Sequence, residues 1–258
     1  MEIRLTGKRT LITGASSGIG RAIAEAAAGA RVAINYRSRP EDAREVVSRI
    51  RAGGAEALAL EADVADAAQV AGMFEDLDRA WGGVDILVNN AGIDGDRALG
   101  WETRPEAWRR VLDVNLAGTY HCARSAMQRM VAQGSGVIVN ITSVHEVIPW
   151  TGYSAYTASK AGVGMLTKTL AQEGAPRGIR VLAVAPGAIQ TPINQDVWGN
   201  PAALADLLTK IPMGRMGQTH EVAQMVVILV SDAASYLTGT TVFVDGGMTL
   251  YPEFSHGG

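Results

Sequence analysis

Short apolar runs and longer amphipathic stretches alternate along almost the whole chain. Residues 10–12, 31–36, 57–62, 84–88, 137–141, 179–185 and 240–245 are apolar runs with the length of buried strands. Helical patterns lie between them, over residues 21–28, 41–51, 66–80, 103–133, a stretch running to 174, and 219–231. Gly53-Gly54 is a stop signal for the second helix. Strands alternating with helices predict an α/β fold, a doubly wound, Rossmann-like parallel sheet with helices on both faces. Residues 194–216 break that rhythm and read as a substrate lid, a mobile helical insert. No repeat, low-complexity tract or linker interrupts the pattern, so residues 1–258 read as one domain.

Composition narrows the function. The 258 residues are 47% hydrophobic with 30 glycines, which suits one large unit with a substantial core. A net charge of -3 without like-charged blocks argues against nucleic-acid and membrane-surface partners. The apolar runs are too short to span a bilayer, and residues 1–8 lack the apolar core of a signal peptide. Cys122 is the single cysteine, so no intrachain disulfide can form and a reducing, cytoplasmic compartment is expected. The partner expected is a small-molecule substrate.

Three stretches carry candidate chemistry. Thr13-Gly14-Ala15-Ser16-Ser17-Gly18-Ile19-Gly20 joins the first strand to the first helix, an arrangement that turns bare N–H groups towards a pyrophosphate. Gly14 permits the turn, Gly18 the approach of phosphate, and Gly20 close helix packing. At the end of the second strand stand Arg37 and Ser38, with no acidic residue to hold a ribose 2′-hydroxyl, so NADP is preferred. NAD use stays open, because no basic residue precedes Gly18. Further on, Tyr156 and Lys160 are four apart, one helical turn, and Ser143 follows an apolar run. A tyrosine serving as base near neutrality needs its pKa lowered by ~3 units, which is ~4 kcal/mol. One close cation, helped by a second positive group, could supply that.

These motifs, with Asn89-Asn90-Ala91-Gly92 and Pro186-Gly187, occur in an order that resembles the short-chain dehydrogenase/reductase family. The resemblance covers almost the whole chain and implies a seven-stranded sheet and an NAD(P)-dependent oxidoreductase. It implies that Ser143, Tyr156 and Lys160 are catalytic, with Asn115 holding a water of the proton relay. It places Asp63 and Val64 at the adenine, Asn90, Ala91 and Gly92 along the cofactor, and Pro186, Gly187, Ile189 and Thr191 at the nicotinamide. An N-cap role is the alternative for Asp63. Gly29-Ala30 comes early for the family, so a trimmed helix end or a tight turn is expected there. No metal is called for, and a homotetramer is the family's usual assembly.

Residues 143–150, 186–194, 211–214 and 246–252 resemble bacterial glucose 1-dehydrogenases more closely than the family at large. A sugar needs several polar anchors, and Asp94, His145 and Asn194 are the candidates, each with a turn or loop role as its alternative. Those enzymes carry Glu where Asp94 stands and a histidine where Ala155 stands, so another sugar, a polyol or a different secondary alcohol stays open. A 3-oxoacyl carrier-protein reductase would show a basic docking surface near residues 124–129. A non-catalytic cofactor-binding regulator would show damage to the Ser/Tyr/Lys set.

Overall fold

Seven parallel strands form one sheet, in which the first strand of the chain has the second and then the third on one side, and the fourth, fifth, sixth and last on the other. The computed structural model describes residue 3, residues 5–27 and residues 29–250. The strands are β1 (Arg9–Ile12), β2 (Arg31–Tyr36), β3 (Ala57–Glu61), β4 (Ile86–Asn89), β5 (Gly136–Ile141), β6 (Ile179–Pro186) and β9 (Thr241–Val244). Their connections are α1 (Gly18–Ala26), α2 (Pro40–Ala52), α3 (Ala67–Trp81), α4 (Pro105–Leu112), α5 (Gly118–Gln133), α6 (Ser154–Gly174) and α9 (Thr219–Val230).

Alternation along each strand sends neighbouring side chains to opposite faces. Ile12, Val88, Val139 and Leu182 pack with Ile23 of α1, Val46 of α2 and Val226 of α9. Leu11, Leu87, Ile138 and Val181 pack with Phe74 of α3, Cys122 and Met130 of α5 and Leu170 of α6. Both faces are therefore covered, which is why the strands read as unbroken apolar runs. The predicted doubly wound sheet is the observed one.

Chain order fixes where a ligand can sit. The chain steps from β1 outward to β3, then returns to place β4 on the other side of β1, in register Ile12 to Val88. The loops after β1 and β4 part there, and the crevice outside those strand ends is the binding place of such sheets.

Three departures from the sequence pattern have identifiable causes. The expected helix over 103–133 is two helices joined by a π-turn, Asp113–Ala117, that carries Asn115. N-capping at the third helix belongs to Asp66, whose carboxylate accepts from the amides of Ala68 and Gln69, and not to Asp63. Between Ser143 and α6 lies a loop with a 3-10 turn, Val144–Glu146, so β5 does not feed the helix directly. The early Gly29 is a tight turn, as expected: α1 stops at Ala26, Gly29 has φ +83°, and its carbonyl accepts from Gly7 N.

The stretch expected to be a lid is an insert of α7 (Gln195–Trp198) and α8 (Pro201–Leu208) between two short strands, β7 (Ile189–Gln190) and β8 (Gly217–Gln218). The two strands pair in parallel and close its base. Among the described residues no helix is long and apolar enough to cross a membrane. The tail that follows residue 250 lies outside the described residues, and Tyr251 and Pro252 of the 246–252 stretch with it.

Candidate active site

One cavity of about 1390 Å³ opens along the strand ends. Every residue predicted for cofactor or substrate borders it except Gly20. Gly20 sits one layer behind, where a Cβ would strike the Asn90 amide and the Gly14 carbonyl.

The cofactor end is built from the glycine turn. Gly14 and Gly18 hold φ of +61° and +57°, and a Cβ on Gly14 would lie 2.8 Å from Ala91 Cα. Only glycine accepts both conditions. Ser17 is the N-cap of α1 but makes no side-chain capping bond, so the first N–H groups of that helix face the cavity unspent. A diphosphate fits such a cradle. The Asn90 amide ties β4 to the turn by donating to the carbonyls of Thr13 and Gly14. Asn89 points the other way, into the sheet, and donates to Asn140 Oδ1 at 2.9 Å. Asn35, which the sequence reading passed over, supports the same turn: its Oδ1 accepts from Gly14 N, and its amide donates to Ala62 O.

At the ribose end Arg37 and Ser38 line the cavity beside Asp63. Burial opposes the charge of Asp63, but a hydrogen bond from Arg110 and one from Ala65 N hold its carboxyl below the usual range. Arg110 was not singled out by any local pattern.

The predicted catalytic residues Ser143, Tyr156 and Lys160 line the same cavity. Lys160 Nζ donates to Ile141 O at 2.9 Å and lies 5.6 Å from the Tyr156 ring centre. Asn115 is buried behind them. Its Oδ1 accepts from Ile93 N at 2.8 Å, and its Nδ2 donates to Ile93 O and Ser159 Oγ. A Cβ on Gly92 would meet Asn115 Oδ1 at 3.3 Å and Lys160 Nζ at 3.6 Å, which places both around that glycine.

Electrostatics here correct one expectation. Burial pushes the Tyr156 hydroxyl up to about 12; the Ser143 hydrogen bond opposes this and the Asp94 charge adds to it. Burial brings Lys160 down to about 8, against the pull of Asp94 and Glu146. Burial of the hydroxyl thus sets the direction of the Tyr156 shift, upward where a base near neutrality needs it downward.

The three substrate candidates separate. Burial raises Asp94, with Lys160 and His145 opposing. His145 Nδ1 lies 3.1 Å from Ile148 O, a pure acceptor, so Nδ1 carries the proton and Nε2 is left as an acceptor in the neutral ring. Burial holds His145 below its usual range, with the Ile148 carbonyl and Asp94 opposing. Trp150 stacks on His145 at 4.5 Å and on Tyr153 at 3.9 Å and forms part of the cavity wall. Asn194 has the turn role: Oδ1 accepts from Thr191 N and Oγ1, and Nδ2 donates to Ile189 O. Part of the cavity wall is apolar, with Ile148, Ile193, Val197, Leu207 and Ile211, while Arg97, Thr209 and Lys210 line it too.

A family model described as enoyl-(acyl carrier protein) reductase matches residues 14–249. The chain is a short-chain dehydrogenase/reductase. As such it is an NAD(P)-dependent oxidoreductase acting on CH–OH groups. This short-chain dehydrogenase/reductase is 50% identical over 260 residues to 3beta-hydroxysteroid dehydrogenase 1 of Eggerthella lenta, covering 98% of each chain. It is 43% identical to glucose 1-dehydrogenase 2 of Bacillus subtilis, over 96% of this chain and 97% of the other. A 3-oxoacyl-[acyl-carrier-protein] reductase of Staphylococcus aureus is also 43% identical, over 94% and 98%. A gluconate 5-dehydrogenase of Burkholderia cenocepacia, solved with NADP and tartrate, superimposes with a TM-score of 0.91 at 37% identity, over 96% and 97%.

Proposed function

We propose that this enzyme oxidises, and in reverse regenerates, a CH–OH group of a ring-shaped substrate, with NADP preferred to NAD, and that the ring is a sugar, as in the glucose 1-dehydrogenases it resembles. The observation that carries the reading is the convergence of Ser143, Tyr156 and Lys160 on the cavity that also holds the glycine turn. The N-terminus of α1 would hold the pyrophosphate, Arg37 and Ser38 the 2′-phosphate, and Pro186, Ile189 and Thr191 the nicotinamide. The bound nicotinamide supplies the hydride acceptor or donor and, when oxidised, a positive charge. Ser143 orients the reacting oxygen, and Tyr156 takes the hydroxyl proton in oxidation and returns it in reduction. Lys160 holds the nicotinamide ribose and conducts protons towards Asn115. Asp94 and the Nε2 of His145 are two acceptors fit for further hydroxyls of a sugar.

The apolar wall favours a second reading, a hydroxysteroid, in line with the name of the 50% identical relative. Carrier-protein reduction has less support. Arg129, on the helix where a basic docking face would lie, spends its guanidinium on Asp78 and Ser125 O. A non-catalytic role has none, since the Ser/Tyr/Lys set is complete. We further propose one cytoplasmic domain over residues 1–258, assembled as a homotetramer.

The test is reduction of NADP and NAD by purified protein with D-glucose, other sugars, polyols and 3β-hydroxysteroids, beside Tyr156→Phe. Sugar turnover abolished in the variant supports the first reading. Turnover on steroids alone moves the substrate to the second, and silence on all of them overturns both.

A further inference from the structure

We propose that Arg110 is a positioning residue for cofactor selectivity: by occupying the Asp63 carboxylate it keeps Arg37 free for a 2′-phosphate. The inference rests on the NADP preference proposed above. Arg110 lies in the last turn of α4 and takes no part in the cavity wall, so it would touch no cofactor. Its Nη2 donates to Asp63 Oδ2 at 2.8 Å. Arg37 Nη1 stands 3.9 Å from the same oxygen, close enough to be attracted and too far to hydrogen-bond. The other carboxylate oxygen accepts from Ala65 N at 3.0 Å. Asp63 is thus held from two sides by groups that are not Arg37.

Charge counting gives the consequence. With Arg110 in place, Asp63 and the two guanidiniums sum to one positive charge at the ribose end of the cavity. Remove Arg110 and the sum is zero, and the neighbouring Arg37 has one unpaired carboxylate to close upon. A phosphate carrying close to two negative charges would then meet a neutralised arginine. NAD, which ends in a hydroxyl at that position, would feel little of this.

The ratio of kcat/KM for NADP to that for NAD reads the effect, with cofactor Kd by fluorescence quenching. Arg37→Ala sets the scale by removing the phosphate partner. Arg110→Ala is expected to lower the ratio about fivefold to tenfold through the KM for NADP, with the KM for NAD within about twofold of the parent. Arg110→Lys should keep most of the ratio. Adding Asp63→Asn to Arg110→Ala should restore it, because Arg37 then has no carboxylate to close on. A merely structural role would raise both KM values in parallel, and that result overturns the proposal. Arg110→Gln carries the same test should Arg110→Ala melt below the assay temperature. If Arg37→Ala lowers the ratio and the Arg110 variants do not, only this inference fails. If Arg37→Ala leaves it unchanged, the NADP reading falls and takes the inference with it.

Discussion

Lys160 is a buried ammonium whose one hydrogen bond runs to a backbone carbonyl, and its environment can be read out by titration. Its pKa falls from 10.5 to about 8 on folding. Between those values the unfolded chain binds more protons than the folded one, so folding stability rises with pH across that window. Tyr156 acts in the opposite sense above pH 10, because its folded pKa moves up to about 12 and the folded state is then the one holding the extra proton. Relative to Lys160→Met, the parent should therefore gain about 2–3 kcal/mol between pH 8 and 10. Urea midpoints of the two proteins at several pH values measure this, and parallel curves would refute it. Chemistry gives a second prediction at the same scale. Tyr156→Phe keeps the packed ring and removes the proton donor, so kcat should drop at least about 10²-fold to 10⁴-fold with cofactor Kd little changed. A variant losing less than tenfold would move the acid/base role elsewhere.

Between residues and sheet stands the π-turn of Asp113–Ala117, where the helix pattern slips and Asn115 turns inward. Its amide satisfies both backbone groups of Ile93, a residue 22 positions away, and thereby fixes the loop that carries Gly92 and Asp94. Asn115→Ala leaves that N–H and C=O without their partners in a partly buried place, at roughly 1–3 kcal/mol. A lower urea midpoint at unchanged m would show it, together with a loss of kcat; a stability change under about 0.5 kcal/mol would mean water replaces the amide. The same contrast explains what the sequence made legible. Strands, helices, the glycine turn and the Tyr156–Lys160 spacing are patterns within a few residues, and periodicity or propensity reports them. The π-turn, the cap at Asp66 instead of Asp63, and the spent amide of Asn194 depend on which neighbour wins a hydrogen bond. Arg110 is further out of reach, since its partner is 47 positions away and comes close only once α4 lies beside the loop that follows β3.

On the scale of the whole molecule, Cys122 is a built-in reporter. It is fully buried between α5 and the sheet, and burial pushes its thiol up to about 12, so it reacts only when that layer opens. The cofactor cavity lies along the strand ends and is lined from both halves of the sheet, by Gly14 after β1 as well as Pro186 of β6. Any opening that separates α5 from the sheet must then disrupt the cavity too, if the layers open as one unit. Cofactor binding the folded state alone adds RT ln(1 + [L]/Kd), about 2.7 kcal/mol at a hundredfold excess over Kd. Thiol labelling of the native enzyme, in the regime where closing outpaces reaction, should accordingly slow about 100-fold in NADP at that excess. Labelling that ignores NADP while the cofactor still binds would mean that α5 detaches locally, leaving the cavity intact. The crevice would then be held by the other face, through α1, α2 and α9, and the two helical layers would be separate units of stability.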